Sequence, residues 1–222
     1  SIDEQITTNY EFQTNSNSGV YSLLMSATEY ADWIGKDDFR NGSVRNLIFE
    51  DIYKKFPDEY DFIFLVLNEP NIPEGMSYYG MLIGVSNTIE GTGQSIYDYS
   101  SDYGSEGKLK AVMQLTGLSY LKNGPSLHEL MHNWGNFGFE THSVDQSGEN
   151  ITSYPYWGHW GFTGGSTKGQ LGGFDQSTLV ELEDNSYSVA PFGPFANGGN
   201  GVPYNELELY LMGMVPLSSV NP

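Results

Sequence analysis

The sequence predicts an α+β fold: a mixed, twisted sheet with helices, a helix carrying two histidines, and then a loop-rich C-terminal lobe. Three observations carry this. Apolar runs of strand length alternate with a segment of helical period in the first half of the chain. One stretch, "SLHELMHNWG" (126–135), combines apolar side chains at helical spacing with His128 and His132 four residues apart. After residue 140 the texture changes to Gly, Ser, Asn and aromatics with only short apolar runs. The 222 residues suit one domain, read as a single unit over 1–222. Residues 1–137 form its sheet-and-helix lobe and 138–222 its irregular lobe.

Taken in order, "GVYSLLMSA" (19–27) reads as a strand. In "GSVRNLIFEDIYKKF" (42–56), Val44, Leu47, Ile48 and Ile52 recur at three- and four-residue spacing, and Pro57 follows, so a helix is expected. "DFIFLVLN" (61–68) is nearly all apolar, as in a central strand covered on both faces. "YGMLIGVSN" (79–87) is a further strand. "KLKAVMQLTG" (108–117) alternates in part and reads as an edge strand. Between them, the Tyr- and Gly-rich residues 91–107 read as a flexible, solvated loop, with a substrate-facing flap or a calcium site as alternatives. Asp98, Asp102 and Glu106 recur there every four residues, without the alternating acids of a known calcium loop. Trp157, Trp160, Phe162, Phe174 and Tyr187 make the late lobe too apolar for a free linker. "YNELELYLMGM" (204–214) is a short helix or tight turn closed by Gly213.

Composition narrows the function. A net charge of −19 with 9 Lys+Arg leaves no basic stripe for phosphates, which argues against nucleic acid and against anionic membranes. No apolar run approaches the ~18 residues of a membrane span. There is no cysteine, which removes disulfides, thiolate metal sites and cysteine nucleophiles. An acidic, cysteine-free chain fits a secreted or cell-surface protein whose leader has been removed, and one cut from a longer chain.

The motif His128-Glu129-x-x-His132 carries the chemistry. On a helix, the two imidazoles lie on one face and can converge on a metal ion. Glu129 points beside that face, placed to take a proton from polarised water. Leu127, Leu130, Met131 and Trp134 are free to anchor the helix, and Gly135 sits where it can stop as a left-handed cap. Without any chemistry, Ser126-x-x-Glu129 is also a capping box. Catalytic zinc takes about three protein ligands, so a third is expected. His159, held between Gly158 and Trp160, ranks first; Glu206 and Glu208 come second and His142 third, with Glu140 also near.

These residues resemble the metzincin clan of zinc endopeptidases, through His128, Glu129, His132 and Gly135. More closely, the second half is similar to a group of bacterial proteins sharing HExxHxWG, GHW, GG and LYLMG, which stand here at 128–135, 158–160, 172–173 and 209–213. The resemblance implies a zincin-like fold and a zinc metallopeptidase cleaving protein or peptide, with Glu129 as general base. It also implies Met212 as the Met-turn residue, with Met214 as fallback, and 108–117 as the strand that aligns substrate. Calcium is a further expected ion, without a location. The clan's third ligand would fall on Gly138, which cannot ligate, so the role passes to His159. Tyr204 and Tyr210 are candidates to steady the oxyanion. Two rivals remain: a zinc-holding, non-catalytic module binding proteins or glycans, and a zinc hydrolase of non-peptide amides.

Overall fold

The computed structural model describes residues 11–14, 20–90, 95–135, 159, 168–172, 176–183, 187–188 and 199–220. Their elements confirm an α+β composition. Strands β1 (Glu11–Thr14) and β2 (Tyr21–Leu24) form an antiparallel pair outside the main sheet. The expected strand 19–27 is therefore shorter, and the chain then turns into helix α1 (Ala27–Gly35). That helix has a readable start: Ser26 Oγ accepts the Glu29 N–H at 3.2 Å, and Glu29 Oε2 accepts the Ser26 N–H at 2.8 Å. Helix α2 (Gly42–Tyr53) is the one expected from its apolar spacing. Asn41 caps it through the Ser43 N–H, and Ile48 and Phe49 are fully buried.

The main sheet contains β3 (Phe62–Val66), β4 (Gly80–Gly84) and β7 (Ala111–Leu115) in the order β3-β7-β4. β7 runs parallel to β3 and antiparallel to β4, pairing Val112 with Ile63 on one side and Ile83 on the other. This reverses two expectations. Segment 108–117 supplies the centre of the sheet, every residue of its strand buried, and 61–68 supplies an outer strand whose Phe64 is 36% exposed. The cause is a connection that local pattern does not encode. After β4 the chain forms β5 (Ser86–Asn87) and β6 (Tyr97–Asp98), which pair with each other, and a turn at Ser100–Tyr103. Asp58 then gathers the return, its Oδ2 accepting Ser105 Oγ, Glu106 N and Lys108 N. Lys110 N–H bonds the Asp61 carbonyl at 2.7 Å, which slots β7 beside β3.

Residues 95–107 are thus folded onto the body rather than solvated throughout. Tyr103 is buried against Phe49, ring centroids 5.5 Å apart, and Asp98 Oδ1 accepts Ser100 N–H. Helices α3 (Tyr120–Asn123) and α4 (Ser126–Gly135) follow, then a small pair β8 (Val180–Glu181) and β9 (Tyr187–Ser188), and helix α5 (Glu206–Leu211). Tyr187, expected to be covered, is 56% exposed on β9; Trp157, Trp160, Phe162 and Phe174 lie outside the described residues.

The larger core joins Trp33, Phe39, Ile48, Phe49, Val85, Leu109 and Val112 between the helices and the sheet. Each such fully buried side chain is worth about 1.5–3 kcal/mol of transfer free energy. A smaller cluster joins Met131 of α4 and Leu171, with Trp134, Tyr204, Leu211 and Met212 packed on it. It fixes α4 against α5. No described helix is long and apolar enough to cross a membrane.

Candidate metal centre

Helix α4 is positioned from both ends of the chain's second half. Its first amides are satisfied at long range: Asn200 Oδ1 accepts the Leu127 N–H at 3.1 Å, while Asn200 Nδ2 donates to Leu121 O at 2.8 Å and Ser126 Oγ at 2.7 Å. Ser126 is therefore no capping-box residue. Its hydroxyl donates to the Leu121 carbonyl, and the Glu129 N–H pairs with Pro125 O inside the helix. Gly135 is the last helical residue, as expected.

His128 and His132 share a face of α4, with ring centroids 4.8 Å apart. His159 arrives from the late lobe and stacks on His128 at 4.8 Å, its centroid 5.0 Å from that of His132. The Nε2 atoms of His159 and His128 are 2.9 Å apart. Among the described residues this is the one group of three or more His, Cys, Asp or Glu side chains able to hold a metal ion, with ligand atoms all within 4.8 Å. The structure thus brings together the three histidines the sequence singled out. Asp98, Asp102 and Glu106 are not brought together, and His142, Glu140 and Gly138 lie outside the described residues.

The donor set suits a soft-to-borderline ion. His128 Nδ1 lies 2.5 Å from the Gln170 carbonyl. A carbonyl only accepts, so the proton sits on Nδ1 and Nε2 presents its lone pair to the cluster. Burial first, and then the neighbouring His159, push the His128 pKa down to about 3, against the Gln170 carbonyl, so the ring is neutral and ready to ligate. Three imidazole nitrogens suit a transition-metal ion better than calcium, which takes oxygen.

Glu129 stands beside the cluster and outside it. Its side chain rests on β4, so close that a Cβ at Gly80 would come within 2.7 Å of Glu129 Cγ. Burial pushes its pKa up to about 8, and the Leu82 N–H, which it accepts, pulls the other way.

The late glutamates turn elsewhere. Glu208 is fully buried and accepts Gln170 N–H at 2.9 Å and Leu171 N–H at 2.6 Å, as well as the Asn205 N–H at 3.1 Å. It ends up gripping backbone instead of ligating, and Glu206 is not in the histidine group either. The sequence offers Glu208 as a second-choice ligand behind His159; its capping box with Asn205 is the available signal for a structural role. Tyr204 OH donates to the Leu127 carbonyl at 2.8 Å, which commits it to packing, whereas Tyr210 is 37% exposed. Met212 ends α5 and packs inward on the Met131–Leu171 cluster; Gly213 (φ 74°) then turns the chain and leaves Met214 65% exposed.

In comparison with known proteins, no family model matches the chain, and no curated protein or solved structure matches it either.

Proposed function

We propose that the chain is a zinc-dependent endopeptidase of metzincin-like kind, with His128, His132 and His159 as metal ligands and Glu129 as general base. The observation that supports it best is the three-histidine group, with Glu129, the residue after His128, buried against β4. When bound there, zinc supplies Lewis acidity, which polarises water and a scissile carbonyl. Glu129 takes the proton of the attacking water at its carboxylate and returns it to the leaving amine nitrogen. β4, as an outer strand beside α4, takes over the substrate-aligning role expected of 108–117, pairing with an extended peptide backbone. Met212 serves as the Met-turn residue under the histidines. An acidic, cysteine-free surface suits work outside the cell.

The test is zinc stoichiometry together with cleavage of unstructured protein, on the parent, His159→Ala and Glu129→Gln. The parent is expected to hold about one zinc and cleave. His159→Ala loses the metal; Glu129→Gln keeps it and loses about 10²–10⁴-fold in rate. Zinc retained by His159→Ala would overturn the ligand set, and a metal-loaded parent inert toward peptide would overturn the peptidase reading.

A further inference from the structure

We infer that Glu208 is a positioning residue of the metal centre: it holds the 170–171 backbone so that the Gln170 carbonyl fixes the ring and tautomer of His128. The inference rests on the metal-centre part of the proposed function. The chain of contacts is continuous. The two carboxylate oxygens of Glu208 take the amides of two successive residues, Gln170 to Oε2 at 2.9 Å and Leu171 to Oε1 at 2.6 Å. The carbonyl of Gln170 meets His128 Nδ1. The Gln170 side chain donates in turn to the Val202 carbonyl, so the short segment is pinned on both sides.

Three features set this apart from ordinary packing. First, Glu208 is fully buried, and no described Lys or Arg makes an ion pair with it. Burying a carboxylate opposes its charged form, and backbone amides are its compensation. Second, the same residue closes the capping box of α5, where Glu208 N–H meets Asn205 Oδ1 at 2.9 Å, so its position is set by the helix start. Third, a Cβ at 169 would come within 2.5 Å of Glu208 Oε2 and 2.6 Å of Asn205 Nδ2, so any larger residue there has to move the carboxylate. The segment is shaped around the carboxylate. A carbonyl held this way leaves His128 one usable nitrogen toward the ion, the role that partners behind metal-bound histidines perform.

The test compares the parent with Glu208→Gln and with Leu211→Ala, which trims the neighbouring cluster and leaves the clamp alone. Two quantities are read. Zinc affinity, by competition with a chromophoric chelator, is expected to fall about 10–100-fold in Glu208→Gln and to stay within about twofold in Leu211→Ala. The ¹⁵N shifts of the His128 imidazole in zinc-free protein are expected to report Nδ1–H in the parent and in Leu211→Ala, and a mixed tautomer in Glu208→Gln. If Glu208→Gln does not fold, Gly169→Ala displaces the same carboxylate and is read in its place. Affinity and tautomer matching those of Leu211→Ala would overturn the inference. A parent that takes up no zinc removes the metal reading itself, and the tautomer comparison then decides the clamp by its own result.

Discussion

Asn200 caps Leu127 across 73 residues of sequence, its side-chain oxygen accepting the Leu127 N–H at 3.1 Å. The same amide group holds Leu121 O and Ser126 Oγ, so one side chain ties α3, α4 and the late lobe together. Asn200→Ala is expected to cost about 1–2 kcal/mol, the range of a lost helix cap with partly buried partners. Urea unfolding measures it. A change below a few tenths of a kcal/mol would mean that water replaces the cap without cost.

Gly80 is where the strand and the motif helix come closest. An added Cβ would meet Glu129 Cγ at 2.7 Å, Pro125 Cγ at 3.0 Å and Leu115 Cδ2 at 3.1 Å. Gly80→Ala therefore has to move Glu129 or the helix, an overpacking cost of about 1–3 kcal/mol. Peptide cleavage is expected to fall while bound zinc stays at the parent's level. Full activity in Gly80→Ala would show that the position of Glu129 against β4 is not needed.

The zinc-free protein has a pH profile set by two buried neighbours. His128, lowered to about 3 from an ordinary 6.5, leaves the unfolded chain binding more protons below pH 6.5, so stability falls as pH drops from there toward about 3. Glu129, raised to about 8 from 4.5, keeps its proton in the folded state, so stability falls as pH rises from 4.5 toward about 8. Between pH 4.5 and 6.5 the two slopes oppose each other, and this pair contributes a plateau with a decline on each side. Melting temperatures of chelator-treated protein across pH 3–8 check it. Glu129→Gln is expected to shrink the alkaline decline, leaving the part due to Glu208, whose pKa burial also raises, and to keep the acid one.

Gln114 anchors the sheet away from the metal centre. It is fully buried in β7, accepts Trp33 Nε1–H at 2.7 Å, and donates to Tyr78 OH, which donates to Asp37 Oδ1. Gln114→Leu strands the indole N–H and disturbs the tyrosine, at about 1–3 kcal/mol for each buried group left unsatisfied. The variant is expected to lose stability by denaturant titration and to bind zinc as the parent does.

The sequence was legible where chemistry and short-range pattern coincide. His128 and His132 need only a helix to converge, and His159 was the histidine whose glycine and tryptophan neighbours marked a constrained turn. α2 followed from its apolar spacing, and α1 was missed although Ser26-x-x-Glu29 announced it. Strand order was another matter. The apolar runs 61–68 and 108–117 carry no label saying which lies in the middle, because that depends on where Asp58 and Asp61 catch the returning chain. Glu208 stands as an alternative ligand in the sequence for the same reason. A glutamate near a metal motif looks alike whether it meets an ion or two amides, and only the placement of Gln170 and Leu171 separates the two.

The long reach of Asn200 and Glu208 has a consequence for the order of events during synthesis. The motif helix emerges from the ribosome 73 residues before the side chain that caps it, and Gln170, which orients His128, waits 38 residues for its carboxylate. A nascent chain that has released residues 126–135 but not 199–208 therefore has its histidines without their supports. The three-histidine group therefore gains its supports only once residues 199–208 have followed it out.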